Sequence, residues 1–262
     1  MRKSICIGTV VFIMSFVLGF VNVQAATNYK KTLPTSGFTT NDIMIYLDQN
    51  FTKPEMELEK FTQVSVLSVG KVYKIFYKDQ ICFANSKDIF ISDDLNLVKL
   101  LYEQPVTPEL VTNEYVCSLF QNYIQDIKLT SPNKYFIYTN LTSFTSFLCE
   151  VKTNEQNENY VSIEMSFPIT HGASNTPTLT GDFFIYRKTP VWSYPTNNVV
   201  YPMNFFYGYA THSRIVSKSN KYTPLDAGTG KLLSHGCIRA DTANAERLYS
   251  LAPIGTPVFV SY

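Results

Sequence analysis

The alternation of apolar and polar positions divides the chain into three stretches of different character. Between Asp42 and Asp94, short runs alternate with the period-two rhythm of half-buried strands: Ile43–Leu47, Val64–Val69, Lys71–Tyr77, Gln80–Ala84 and Asp88–Ser92. From Leu95 the period lengthens. Leu95, Leu97, Val98, Leu100, Leu101 and Tyr102 form one stripe at helical spacing, and Val116, Leu119, Phe120, Tyr123, Ile124 and Ile127 form a second. Pro105 and Pro108 separate them, so residues 98–130 read as a helical connector. Strand rhythm resumes near Asn133. Lys134–Thr139 alternates, Ser146–Val151 and Tyr160–Phe167 flank a polar turn, and Phe183–Tyr186, Ala210–His212 and a sheet-closing Val258–Tyr262 follow. One helix is expected from Asp241 to Leu251, with Ala245, Leu248 and Tyr249 on one face and Pro253 as its stop.

The two ends of this pattern differ. Arg2 and Lys3, the uncharged run Ile5–Val21 and the small-residue site Val23-Gln24-Ala25 read as a secretory signal over residues 1–25, with a mature chain from Ala26. An uncleaved anchor is the second reading; Gly8, Thr9, Ser15 and Gly19 weaken it. The expected location is therefore extracellular, in the cell envelope or wall. Ala26 to about Thr40 is polar and reads as a linker.

Composition sharpens the class. The 262 residues carry 22 Lys and Arg against 21 Asp and Glu, a net charge of +1 with no basic block, which argues against nucleic-acid binding. Abundant Tyr, Phe, Thr, Ser and Val make the fold mostly β. Beyond the signal lie Cys82, Cys117, Cys149 and Cys237, and the first three have no metal-type spacing. A nucleophilic Cys237 leaves an odd number, so at least one other is expected to be an unpaired buried thiol.

The chemistry concentrates in Ser234-His235-Gly236-Cys237-Ile238-Arg239, with His212 upstream. A thiol nucleophile needs a proton acceptor, and His serves near neutral pH. Glycine lets backbone approach a substrate and leaves amides for an oxyanion. A metal trio of His212, His235 and Cys237 lacks a fourth ligand or a carboxylate, so no metal and no cofactor are expected.

This hexapeptide resembles the Ser/Thr-His-Gly-Cys-x-Arg/Asn signature of the L,D-transpeptidases, the YkuD-like family that cross-links bacterial peptidoglycan. Three further blocks are similar: Phe167–Gly172 with Thr176–Phe183, the aromatic run Tyr201–Ser213, and the ending Arg239–Tyr249 with Gly255–Val258. The resemblance implies a β-sandwich catalytic domain over 131–262 with a short helix after the cysteine. It implies that Cys237 is the nucleophile and His212 the base. Ser213 offers the carbonyl that orients the imidazole, and Gly236 and Cys237 supply oxyanion amides. His235 shapes the site. Arg239 anchors a substrate carboxylate or the loop itself, and Ser234 is placed with it among the substrate contacts. Read from residue type alone, Trp192, Tyr201, Phe205 and Phe206 either line the substrate groove or, as such residues more often do, pack a core. His171 stands where the family has a small polar residue and reads as structural. The partners implied are peptidoglycan stem peptides, as donor and acceptor of a 3→3 cross-link, on a monomeric enzyme.

Residues 40–97 resemble a bacterial SH3-like module, through Ser68–Ile75, the Lys78-Asp79 turn and Ile81–Ile91. That likeness implies wall-polymer binding. Two features depart from the catalytic pattern: a long 214–233 segment, read as a lid, an acceptor-selecting loop or surface slack, and Leu179 and Asp182 inside the Thr-Pro-Thr block. Three other functions compete. An L,D-carboxypeptidase would give the same thioester to water. A cysteine endopeptidase of the NlpC/P60 kind would place the nucleophile before the His, the reverse of the order here. A non-catalytic wall-binding protein would be expected to carry a damaged motif.

Overall fold

The computed structural model describes residues 30–126 and 134–262. The signal and its cleavage site lie outside them, and among the described residues no helix is long and apolar enough to cross a membrane.

The first module is an antiparallel sheet of seven strands: β1 (Thr35–Thr39), β2 (Ile43–Tyr46), β3 (Pro54–Leu58), β4 (Gln63–Ser68), β5 (Val72–Tyr77), β6 (Gln80–Asn85) and β7 (Ile89–Phe90). Their order is β3-β2-β6-β5-β4-β1-β7. Alternation placed β2, β4, β5 and β6 because one face of each is buried, as with Val64 and Val66. It missed β3, whose Glu55 and Glu57 dilute the pattern, and β1, read as linker. The polar strand β1 is held by backbone pairing to β4 and β7 on both sides. The chain before it is also tied down: Lys31 pairs with Asp182, Lys30 Nζ lies 5.0 Å from the Tyr207 ring centroid, and the Leu33 amide donates to the Tyr207 hydroxyl at 3.3 Å.

Two helices follow, α1 (Leu95–Tyr102) and α2 (Asn113–Asp126), so the helical part begins inside the stretch assigned to the first module. Asp94 caps α1, its carboxylate accepting from the amides of Asn96 and Leu97, and the Thr112 hydroxyl accepts from Tyr115 at the start of α2. These helices are more than a connector. Leu97, Val98, Leu101, Val116 and Phe120 cover the face of the second sheet formed by Phe136, Tyr138, Phe147, Cys149 and Phe259. Phe120 sits 4.9 Å from Phe136, 5.1 Å from Tyr138 and 5.4 Å from Phe259, ring centre to ring centre.

The second sheet has ten strands. They are β8 (Tyr135–Asn140), β9 (Thr145–Thr153), β10 (Asn159–Gly172), β11 (Gly181–Phe184), β12 (Arg187–Lys188), β15 (Met203–Phe206), β16 (Tyr209–Ser213), β17 (Leu232–Ser234), β18 (Ile238–Ala240) and β19 (Pro257–Ser261). A separate hairpin is formed by β13 (Val191–Ser193) and β14 (Asn198–Val200), and α3 spans Thr242–Leu251. The order β11-β19-β8-β9-β10-β18-β16-β15-β12, with β17 beside β10, puts β19 inside the sheet, between β11 and β8. The sequence had placed it as the closing strand.

The two sheets are joined edge to edge. Ile91, just past β7, donates to the Thr180 carbonyl at 3.0 Å and accepts from the Asp182 amide at 2.9 Å. Gly181 permits this approach, since a Cβ there would lie 2.6 Å from the Ile91 carbonyl oxygen. Cys82, Cys117, Cys149 and Cys237 are all unpaired, one step beyond the expectation that at least one of the first three would be. Truncating Phe120 to Ala should cost about 3–5 kcal/mol in urea unfolding. A loss below about 1 kcal/mol would show that the helical layer does not stabilise the second sheet.

Candidate active site

Strand geometry assembles the site. Cys237 stands at the start of β18, and Cys237 and Arg239, two residues apart, share a face. Strand β16 runs parallel to β18 with His212 opposite Arg239, which brings the imidazole to the same face. Ile238 and Ala240 point the other way, into the core. Cys237, His212, His235 and Arg239 line one cavity of about 290 Å³, roofed by Trp192, Tyr194, Asn197 and Val199 from the β13–β14 hairpin. The Trp192 ring centre is 5.7 Å from that of His212.

The imidazole is fixed by its neighbour. His212 Nδ1 donates to the Ser213 carbonyl at 2.5 Å, leaving Nε2 as the basic nitrogen. The Ser213 hydroxyl accepts from the Val200 amide at 2.9 Å and donates to the Arg214 carbonyl, so the same residue anchors the hairpin roof. Burial lowers the His212 pKa to about 4, against the opposing pull of the Ser213 carbonyl. Burial likewise pushes the Cys237 thiol up, opposed by the Ala210 amide and the Arg239 charge. Both groups therefore rest neutral near pH 7. The thiol lies 3.7 Å from the Gly208 carbonyl in the turn between β15 and β16.

The nucleophile loop is braced from below. Gly236 adopts φ +107°, and a Cβ there would meet the Tyr209 ring at 2.4 Å, so only glycine fits. Thr176 donates to the Ser234 carbonyl at 2.9 Å and Thr178 to the Gly236 carbonyl at 2.8 Å. The Thr-Pro-Thr block thus supports the loop from its backbone side, whatever Leu179 and Asp182 do to the pattern.

Residues 134–260 match the family model of the YkuD L,D-transpeptidase catalytic domain. Residues 134–260 are an L,D-transpeptidase catalytic domain. Solved structures similar to the chain include an L,D-transpeptidase from Stackebrandtia nassauensis, at 18% identity and TM-score 0.37, over 50% of this chain and 57% of that one. Another, from Mycobacterium smegmatis, has 17% identity and TM-score 0.38, over 49% and 59%. A fused Zn-dependent amidase/peptidase/peptidoglycan-binding domain-containing protein from Clostridium acetobutylicum has 22% identity and TM-score 0.39, over 65% and 77%. No curated protein matches.

Within this L,D-transpeptidase domain, several residues stand away from their expected roles. Phe206 is fully buried against Phe183, and Phe205 lies in the same core, so neither lines a groove. Tyr201 hydrogen-bonds Glu246 at 2.6 Å in a cluster with Lys221 and Tyr222, outside the cavity. The Gly236 amide is taken by the Ser234 hydroxyl at 3.1 Å, which corrects its assignment as an oxyanion donor. Ser234 is buried and also donates to the Cys237 carbonyl, so it shapes the loop and does not reach substrate. His235 is exposed at the cavity mouth. His171 is buried, stacked on Phe144 and bonded to the Leu141 carbonyl at 3.0 Å, a structural place.

The 214–233 segment is neither lid nor slack. Its Gly230 amide bonds the Ile169 carbonyl at 2.7 Å, Val216 pairs with Asn198 of the hairpin roof, and Lys221 pairs with Glu246 on α3. At its centre Asp226, which sequence reasoning missed, ties together the segments that carry His212 and Cys237. Its carboxylate accepts from Arg214 Nε at 2.5 Å and lies 3.5 Å from Arg239, both arginines being largely buried. A lone acidic residue in a long polar loop carries no signal in one sequence.

Two outcomes follow from these charges. In Asp226→Asn, Arg239 loses its counter-charge beside the thiol, so the pH midpoint of Cys237 alkylation by iodoacetamide should fall below the wild-type value. Stability should drop by about 3 kcal/mol. An unchanged midpoint would mean Asp226 is only a brace. His212 supplies the second. Its folded pKa lies below the unfolded value of 6.5, so the unfolded chain binds the extra proton first and stability falls as pH drops from 6.5 toward 4. The full effect is about 3 kcal/mol. Buried His171, also lowered, adds in the same direction. Urea unfolding of His212→Asn between pH 7 and 4.5 should show a flatter profile than wild type.

Proposed function

We propose that this chain is an exported cysteine acyltransferase that modifies peptidoglycan, joining two stem peptides through a thioester on Cys237. The observation that carries the reading is the shared cavity of Cys237 and His212, with the imidazole oriented by the Ser213 carbonyl. Export rests on the signal-like pattern of residues 1–25.

Because both groups rest neutral, the thiol is activated as it attacks. Cys237 Sγ adds to the carbonyl that precedes a D-amino acid in the donor stem, and His212 Nε2 takes the thiol proton. With the Gly236 amide occupied by the Ser234 hydroxyl, the Cys237 amide takes the oxyanion in this reading. When the tetrahedral species collapses, the C–N bond breaks and the D-amino acid leaves as an amine carrying the His212 proton. An amine of a second stem then attacks the thioester and loses a proton to Nε2. The C–S bond breaks, and the thiolate recovers that proton. The products are one new amide and the free enzyme. The side-chain amine of a diamino acid as acceptor gives the 3→3 cross-link. The roof of Trp192 and Tyr194 narrows the entry and limits water.

Intact-protein mass after incubation with a carbapenem tests this. Wild type should gain one acyl adduct, and Cys237→Ala should gain none. With purified tetrapeptide stems, wild type should yield dimers. Tripeptides alone would replace the transferase by the carboxypeptidase, and no adduct on folded, reduced protein would remove the enzyme reading.

A further inference from the structure

Asp182 departs from the catalytic pattern, and the cavity at Cys237 makes no use of its carboxylate. Its partner is Lys31, 151 residues earlier in the chain, and both side chains are largely buried. Asp93 adds a second acidic neighbour, 4.0 Å from Lys31 Nζ. A pair this sheltered is costly to break by removing one charge. It anchors the strap Lys30–Leu33, which runs ahead of β1.

The strap lies on the turn between β15 and β16. The Leu33 amide donates to the Tyr207 hydroxyl at 3.3 Å, and Lys30 Nζ sits 5.0 Å from the Tyr207 ring centre and 5.7 Å from that of Tyr186. Tyr207 holds φ +43°, a left-handed conformation that disfavours a side chain, yet a tyrosine occupies it. Its carbonyl accepts from the Tyr186 hydroxyl and from the Asn204 side-chain amide. Behind it, Phe206 lies 4.8 Å from the Tyr207 ring and 5.4 Å from Phe183, the residue next to Asp182. Gly208, by contrast, has no packing of its own, since a Cβ there would meet nothing within 4 Å. The carbonyl of that same glycine lies 3.7 Å from Cys237 Sγ. Its position is set by the grip on Tyr207.

We propose that Lys31 and Tyr207 are positioning residues for Cys237, acting through the Gly208 carbonyl. The inference rests on the thioester reading above and extends its site to a residue far outside the 134–260 segment. Two backbone groups of one turn face the sulfur. The Gly208 carbonyl accepts from the thiol and favours its protonated form, whereas the Ala210 amide donates to the sulfur and favours the thiolate. Ala210 is fixed in β16 by its pairing with Asn204. Gly208 stands at the turn tip and shifts once the strap lets go. The sulfur then loses its acceptor and with it the orientation toward the line of attack. The other ionisable groups around the thiol, His212 and Tyr209 on β16 and His235 and Arg239 about β18, keep their places without the strap.

The test compares three variants of the full chain. Lys31→Met with Asp182→Asn removes both charges together, Tyr207→Phe removes only the acceptor of the Leu33 amide, and Lys31→Arg keeps the ion pair. The first two should lower the pH midpoint of Cys237 alkylation by iodoacetamide and slow carbapenem acylation about tenfold. Lys31→Arg should restore both to wild-type values. Wild-type midpoints and rates in the first two variants overturn the proposal. So does a loss of urea stability with an unmoved midpoint, which makes the strap a brace and nothing more. Tyr207 is exposed, so Tyr207→Phe decides alone if the double variant does not fold. No carbapenem adduct on wild type would sink the catalytic reading, and the alkylation midpoint would still decide the role of the strap.

Discussion

Everything at the site depends on the register between β16 and β18. Two short parallel strands place His212 opposite Arg239, and Cys237 follows from its two-residue offset along β18. A slip of one residue would turn the imidazole into the core and bring Thr211 or Ser213 to the cavity. Three-residue strands do not hold a register alone. Here β18 is flanked by β10 on its other side, and its core-facing Ile238 and Ala240 are fully buried. Hydrogen bonds from Thr176 and Thr178 fix the loop before β18, and Asp226 ties the residues that follow each catalytic side chain.

Restraint of this kind explains the electrostatics. An imidazole buried beneath Trp192 and the hairpin roof is kept uncharged, and so is the neighbouring thiol. Such a pair exposes little reactive thiolate at rest. On the function proposed above, nucleophilicity would arise in the act of attack, which would favour a substrate that reaches both Sγ and Nε2 over a small electrophile that meets the sulfur alone.

Much of this was legible in the residues, for physical reasons that differ by position. Elements with one buried face, such as β4 and β5 or helix α1, announce themselves through periodicity. Cys237 and His212 were visible because a motif of six residues and its companion blocks are chemically specific. Strand β1 was hidden because backbone pairing holds it, and its side chains carry no apolar rhythm. Phe206 and Tyr201 misled for another reason: an aromatic near a catalytic segment can face cavity, core or a polar cluster, and spacing does not say which. Asp226 depends on contacts across long sequence separations, which a single sequence does not encode locally. The stretch from 98 to 130 was read as a link between modules, yet its apolar stripes had a destination in the sheet face formed by Phe136, Phe147 and Phe259.

That last placement bears on where one folding unit ends and another begins. The segment that matches the family model starts at residue 134, but the sheet within it is sealed on one side by residues that precede it. Cut at that boundary, the polypeptide would keep every catalytic side chain and present Phe136, Tyr138, Phe147 and Phe259 to water as a single sticky plane. The functional domain and the thermodynamic domain of this protein are therefore different lengths of chain. The helices drawn from outside that segment are what cover this face.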